Sequence, residues 1–199
     1  DSYEANVQNW TEGFDDEFKK RRGYELFTYF PCITGRVVND IQSSERFLFD
    51  LRRTISDLYA DNYYGYFAEM CRKNGLDLYV QPYGRSGNFD DFSNAARADI
   101  PMGEFWVNRY DFALGFSGKL ASSVAHTHGK KYVAAEAFTA ARKEGAWNNH
   151  PYSLKALGDH YYCQGINRFY FAEYAHQHWK NLKPGMTLGP FGFQMNRAI

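Results

Sequence analysis

The stretch KKYVAAEAFTAAR, residues 130–142, places a carboxylate directly after the most strand-like apolar run of the chain. The run YVAA predicts a buried strand, and Glu136 follows it at once. A carboxylate is rarely fully buried unless it is paired, because removing its water costs several kcal/mol. We therefore expect Glu136 to lie where the strand meets solvent, or beside a partner.

Upstream of this strand, a long helix is followed by another strand. The serine pair at 43–44 suits a helix N-cap, and apolar residues then recur at a helical period as far as Met70. The Asn-Gly pair at 74–75 predicts the end of the helix, since both residues tolerate the left-handed conformation found there. The sequence LDLYVQPYG follows and predicts a strand that ends at Pro82.

The helix-then-strand pairing recurs along the chain. A helix is predicted over 116–128 before the strand of KKYVAAEAF, and another over 153–165 before the strand INRFYFAEY. The segment RADIPMGEFWV, residues 97–107, predicts a short strand that ends near Glu104. Helices that alternate with apolar strands predict an α/β fold with a mainly parallel sheet and helical crossovers.

Each predicted strand runs into a polar or charged cluster at its C-terminal end. Glu104, Glu136 and Glu173 lie in three of these clusters, and Glu4 lies in an opening segment that resembles the tail of a further strand. In a (β/α)8 TIM barrel the C-terminal strand ends converge on one face, where the chemistry is placed. The sequence thus predicts about half of such a barrel.

A half barrel would leave two long sheet edges and an unfilled interior. We therefore expect the remaining strands to come from upstream sequence or from another chain. Residues 1–199 are interpreted as one partial barrel domain, a fragment of a longer multidomain enzyme.

Composition excludes several other classes. Lysine plus arginine and aspartate plus glutamate both number 23, so no net charge attracts nucleic acid or an anionic membrane. No apolar run is long enough to span a membrane, and the three cysteines lie too far apart in sequence for a zinc motif or a disulfide framework. Aromatic residues form 19% of the chain, which suits a core and also a sugar-binding cleft.

The strand-end carboxylates Glu4, Glu104 and Glu136 are the candidates for chemistry. Glycosidic cleavage needs two facing carboxyl groups: one protonates the leaving oxygen, and the other activates water or attacks the sugar. Their separation decides between retention at roughly 5–5.5 Å and inversion at roughly 6.5–9.5 Å. A structural ion pair is the alternative for any one of them. Past the last strand, AEYAHQHW places His176 and Gln177 either in substrate contact or in ordinary packing.

Several stretches together resemble glycoside hydrolase family 106, the α-L-rhamnosidases. They are SYE, QNWTEGFDDEFKKRRGYEL, ERFLFDLRRTISDLYADNYYGYFAE, YVQPYG, RADIPMGEFW, AAEAFT, INRFYFAEYAHQ and PGMTLGPFG. The resemblance implies a (β/α)8 barrel with β-rich accessory domains, of which this chain is the second half, from the end of strand four to strand eight. It also implies an inverting hydrolase that removes terminal α-L-rhamnose from oligosaccharides, polysaccharides or glycosides with the help of calcium.

The resemblance assigns roles to individual residues. Glu4 of SYE matches the family's general acid, and Glu136 of AEAF matches its general base. Glu104 of GEFW lies between them as the candidate sugar or calcium contact, and Trp106, with His176 and Gln177 downstream, is expected to bind substrate. Family habit implies a periplasmic or extracellular location. The alternatives are another barrel glycosidase, a retaining one, or a non-catalytic carbohydrate-binding barrel.

Overall fold

The computed structural model describes residues 10–83, 89–108, 112–173, 175–179 and 181–188, with backbone alone for 112–115. The helices and strands follow in chain order: α1 (Phe14–Arg22), α2 (Leu26–Tyr29), a 3-10 helix (Phe30–Thr34), α3 (Ile41–Leu58), a π-helical segment (Tyr59–Gly65), α4 (Tyr66–Lys73), β1 (Tyr79–Val80), α5 (Asp91–Arg97), β2 (Ile100–Trp106), α6 (Phe112–Thr127), β3 (Ala134–Thr139), α7 (Pro151–Cys163) and β4 (Arg168–Phe171).

The four strands form one parallel sheet in the order β1-β2-β3-β4. A helix separates each strand from the next along the chain: α5, α6 and α7 in turn. The predicted α/β fold with a parallel sheet and helical crossovers is therefore confirmed.

The long predicted helix differs from the observed one at its start and in its middle. It begins at Ile41, and the side chain of Asp40 accepts a hydrogen bond of 2.7 Å from the backbone N–H of Ser43. Asp40 is thus the N-cap, and the prediction that the serine pair caps the helix was wrong. The π-helical segment interrupts the helix before α4. Gly75 adopts a φ of +70°, which confirms the predicted end at the Asn-Gly pair.

One face of the sheet packs against the crossover helices. Phe105 is 1% exposed; its ring stacks on that of Tyr161 at 3.9 Å and meets Phe138 and Phe169 edge-on at 5.0 and 5.5 Å. Gly103 allows α6 to approach closely, since a Cβ there would lie 2.7 Å from the backbone nitrogen of Gly118. We call this side of the sheet the helix face.

The opposite side of the sheet changes character along the strands. Near the N-terminal strand ends, Ile100, Met102 and Ala134 form a small buried cluster. Tyr79 on β1 and Tyr170 on β4 also lie on this side, where their rings stack with centroids 4.9 Å apart. Toward the C-terminal strand ends the same side carries polar side chains. We call it the cleft face.

The helices before the sheet have their own small core. Phe18 of α1 and Phe47 of α3 are fully buried there. Arg22 ties the two helices together, because it donates to Thr54 at 2.8 Å and pairs with Asp57 at 2.5 Å. Among the described helices, none has the length and apolarity needed to cross a membrane.

Candidate active site

Glu136 lies on the cleft face of β3. It is in register with Glu104 on β2 and with Tyr170 on β4. Because partners in a parallel sheet point to the same side, the side chains of Glu104 and Glu136 share one face. Glu104 and Glu136 thus lie side by side on one face of the described sheet, as predicted, while their role in a substrate cleft stays a prediction.

The partners of the Glu136 carboxylate are two neutral donors. The side-chain amide of Gln81 donates to Oε2 at 2.9 Å, and the hydroxyl of Thr139 donates to Oε1 at 2.6 Å. Gln81 is itself buried, at 8% exposed, so its amide is held in place. Donors on both oxygens fix the orientation of the carboxylate. Among the described residues, the carboxylate at the end of the apolar run is therefore bonded to neutral donors and to no cation.

A bulge in β3 makes the contact with Thr139 possible. The register runs from Glu104–Glu136 directly to Trp106–Thr139, so β3 has one more residue than β2 over this interval. At the bulge, Phe138 adopts a φ of +57°, which lies in the left-handed region. Bulges of this kind re-aim side chains near functional sites. Here the ring of Phe138 packs on the helix face, and the hydroxyl of Thr139 reaches Glu136.

The carboxylate of Glu104 also receives a hydrogen bond on each of its two oxygens. The hydroxyl of Tyr83 donates to one of its carboxylate oxygens and the indole N–H of Trp106 to the other. Its backbone is fixed as well, because Ser117 on α6 accepts from its N–H at 2.9 Å and donates to its carbonyl at 3.0 Å. The predicted substrate residue Trp106 thus orients Glu104.

Glu173 is a further carboxylate near Glu136. It follows β4, and the adjacent Ala172 donates its N–H to the carbonyl of Ala137 at 3.3 Å, which holds this segment beside β3. Burial raises the pKa of Glu173, and the negative charge of Glu136 raises it further. Glu173 therefore lies within electrostatic range of Glu136.

The predicted contacts past the last strand are placed differently. The side-chain amide of Gln177 makes two hydrogen bonds to the backbone of Met186. It donates to the Met186 carbonyl at 2.9 Å and accepts from the Met186 N–H at 2.8 Å. This contact ties together two stretches of chain after β4. His176 is exposed, with its ring 6.1 Å from that of His178. Substrate binding by His176 and Gln177 stays a prediction.

Two predictions depend on residues that are not described. Glu4, the proposed general acid, lies outside the described residues. Within the described ranges no group of three or more His, Cys, Asp or Glu side chains could hold a metal ion. Calcium binding therefore stays a prediction, and no chemical step below goes through it.

Sequence reasoning missed part of the site. Gln81 was visible as a polar residue after a strand, but nothing in the sequence linked it to Glu136. Thr139 was not singled out, because its approach depends on the bulge at Phe138. Tyr83 follows the same strand as Gln81, and no role was predicted for it.

Comparison with known proteins places this geometry in context. The model of the family Glyco_hydro_106, described as alpha-L-rhamnosidase, matches residues 1–199. A protein of Formosa agariphila named "Putative beta-glucuronidase" is 46% identical over 197 residues, covering 99% of this chain and 16% of its own length. The solved structure of a rhamnosidase from Novosphingobium sp. PP1Y is 35% identical with a TM-score of 0.86, over 96% of this chain and 19% of that one. The chain thus spans less than a fifth of either relative.

Proposed function

The chain belongs to the glycosidase family Glyco_hydro_106, the alpha-L-rhamnosidases, and on that premise we propose that the whole protein hydrolyses terminal α-L-rhamnose from glycosides or polysaccharides with inversion. The observation that carries the proposal is the Glu136 carboxylate, fixed on the cleft face by the neutral donors Gln81 and Thr139. A carboxylate held in a fixed orientation is suited to act as a general base.

The proposed reaction uses two carboxyl groups and one water. Glu136 accepts a proton from the water molecule while the water oxygen forms a bond to the anomeric carbon of the sugar. The bond from that carbon to the glycosidic oxygen breaks, and Glu4 in its acid form gives a proton to the departing oxygen. Glu136 ends protonated and Glu4 ends ionised, so proton exchange with solvent restores both.

Glu104 is proposed to orient the sugar beside Glu136. The donors Tyr83 and Trp106 fix its carboxylate, and carboxylate oxygens are of the type that accepts hydrogen bonds from sugar hydroxyls. Its oxygen chemistry also suits calcium, which would polarise or clamp hydroxyl groups when bound. Thermal unfolding of the chelator-treated whole protein, with and without added calcium, tests the cofactor directly: a rise in Tm with calcium and none with magnesium is expected.

The proposed architecture is the second half of a (β/α)8 barrel, from the end of strand four to strand eight, in one domain over residues 1–199. Four parallel strands with helical crossovers support it, as does a cleft face that becomes polar at the C-terminal strand ends. The remaining strands are proposed to come from the rest of the polypeptide or from another chain. A periplasmic or extracellular location is proposed from the substrate class.

A β-glucuronide is the second candidate substrate, because one relative carries that name. The carboxylates on the strand ends argue against it. Glu104, Glu136 and Glu173 lie at the ends of three neighbouring strands. Like charges brought close together repel, so a uronate placed among them would be disfavoured, whereas a neutral deoxy sugar would not.

The test is hydrolysis by the whole protein of matched aryl α-L-rhamnoside and aryl β-D-glucuronide, with the product anomer followed by proton NMR. We expect turnover of the rhamnoside and the inverted anomer as first product. The retained anomer would favour a retaining barrel glycosidase. Sugar binding without turnover would favour a non-catalytic carbohydrate-binding barrel.

A further inference from the structure

Glu173 follows β4 at the C-terminal end of the sheet, and no donor to its carboxylate is found among the described residues. Glu104 and Glu136 each receive two side-chain donors. Glu173 is partly buried, and no hydrogen bond or ion pair to its side chain is found in the described part of the chain. A partly buried carboxylate beside a like charge is unfavourable for folding, and such groups concentrate at functional sites.

The position of Glu173 is set by the sheet. Ala137 on β3 is in register with Phe171 on β4, and the backbone contact from Ala172 to Ala137 continues this pairing to the residue before Glu173. The backbone of Glu173 therefore lies at the same C-terminal sheet edge as Glu136, one strand further along. The pKa of Glu173, raised by burial and then by the charge of Glu136, agrees with this placement.

We propose that Glu173 is a third functional carboxylate of this cleft, which accepts a hydrogen bond from a hydroxyl group of the bound sugar. The inference deepens the proposed function and rests on it. The sugar hydroxyl would donate to Glu173 in the way that Gln81 and Thr139 donate to Glu136. The ligand class is thus a neutral polyhydroxylated sugar, since a second anion at this point would be repelled by both carboxylates.

Ligand binding and protein stability should respond in opposite directions when Glu173 is changed. Glu173→Gln keeps the shape of the side chain and removes its charge. If Glu173 binds substrate, the variant loses affinity, because a hydrogen bond to a charged acceptor is stronger than one to an amide. Its Tm should stay level or rise, because the repulsion from Glu136 is gone. A purely structural role would lower the Tm and leave affinity unchanged.

The experiment compares wild type, Glu173→Gln and the control Glu69→Gln in the whole protein. Glu69 is exposed on α4, where it pairs with Lys73 at 2.6 Å. For Glu173→Gln we expect L-rhamnose affinity by calorimetry to fall about 10- to 100-fold, and KM for an aryl α-L-rhamnoside to rise by a similar factor with kcat changed less than about threefold. The control should match wild type in both.

Each outcome decides the inference. Unchanged affinity and KM in Glu173→Gln would overturn it. A fall in kcat of about a thousandfold with unchanged KM would also overturn it, because that pattern belongs to a proton-transfer group. A wild-type protein that binds L-rhamnose without hydrolysing rhamnosides would defeat the proposed function, while the affinity comparison would still judge Glu173.

Discussion

The two faces of the four-stranded sheet hold their side chains by different interactions, packing on the helix face and hydrogen bonds on the cleft face. Along β2, Gly103 and Phe105 point to the helix face, where aromatic rings and α6 fill the space. Glu104 and Trp106 alternate with them and point to the cleft face, where specific hydrogen bonds take the place of dense packing. From this difference we propose that stability depends on the helix face and the proposed chemistry on the cleft face, because neighbouring residues of a strand point to opposite faces.

The largest expected effect is on the cleft face. Glu136→Gln removes the proposed base but keeps a side chain that can still meet Gln81 and Thr139, so kcat should fall about a thousandfold or more with Tm nearly unchanged. Steady-state kinetics on an aryl α-L-rhamnoside and a thermal scan measure the two. Full turnover by this variant would show that Glu136 is not the base. A large fall in Tm would contradict the proposal that residues of the cleft face contribute little to stability.

The helix face should give the reverse pattern. Phe105→Ala deletes a buried ring that contacts three others, and should lower the free energy of unfolding by about 3–5 kcal/mol. Phe49→Ala is the matched control, because Phe49 is 63% exposed and should cost less than about 0.5 kcal/mol. Urea titration measures both. Equal effects of the two substitutions would contradict the assignment of Phe105 to the core.

Thr139 tests the support of the base. Thr139→Val removes the hydroxyl that donates to Glu136 and keeps the branched shape, so kcat should fall about tenfold with KM little changed. Thr34→Val serves as control, since Thr34 is exposed and donates to the backbone of Pro31. Thr139→Ser restores a hydroxyl and should recover part of the rate. No difference between valine and serine would show that the hydrogen bond does not act on Glu136.

The smallest effect concerns a carboxylate outside the cleft. Burial, and then the charge of Asp90, raises the pKa of Asp91 to about 6. Its folded-state pKa exceeds the unfolded value, so its contribution to stability is full below about pH 4 and is lost as the pH rises through about 6.

Asp91→Asn should therefore stabilise the protein at pH 7 by about 1 kcal/mol, after allowance for solvent screening, and have no such effect at pH 4. Thermal scans of both proteins at the two pH values check this. Destabilisation at pH 7 would mean that the Asp91 carboxylate is held by partners, as that of Glu136 is.

Features that follow from hydrophobic periodicity and from the position of polar residues along the chain could be predicted from the sequence. Alternating helices and apolar strands were enough for the parallel sheet, and the polar clusters after each strand were enough to place Glu104 and Glu136 together. Helix α5 was not predicted, because its seven residues are too few to show a helical period. The role of Thr139 could not be predicted, since a left-handed residue such as Phe138 leaves no mark in hydrophobic periodicity.

The most direct measurement is a crystal structure of the whole protein carrying Glu136→Gln with an α-L-rhamnoside bound. We predict that the amide of residue 136 faces the anomeric carbon across one water molecule, with Glu4 near the glycosidic oxygen on the opposite side of the ring. A sugar bound elsewhere, or Glu4 remote from the cleft face, would contradict the proposal that parallel strands deliver both carboxyl groups to one sugar.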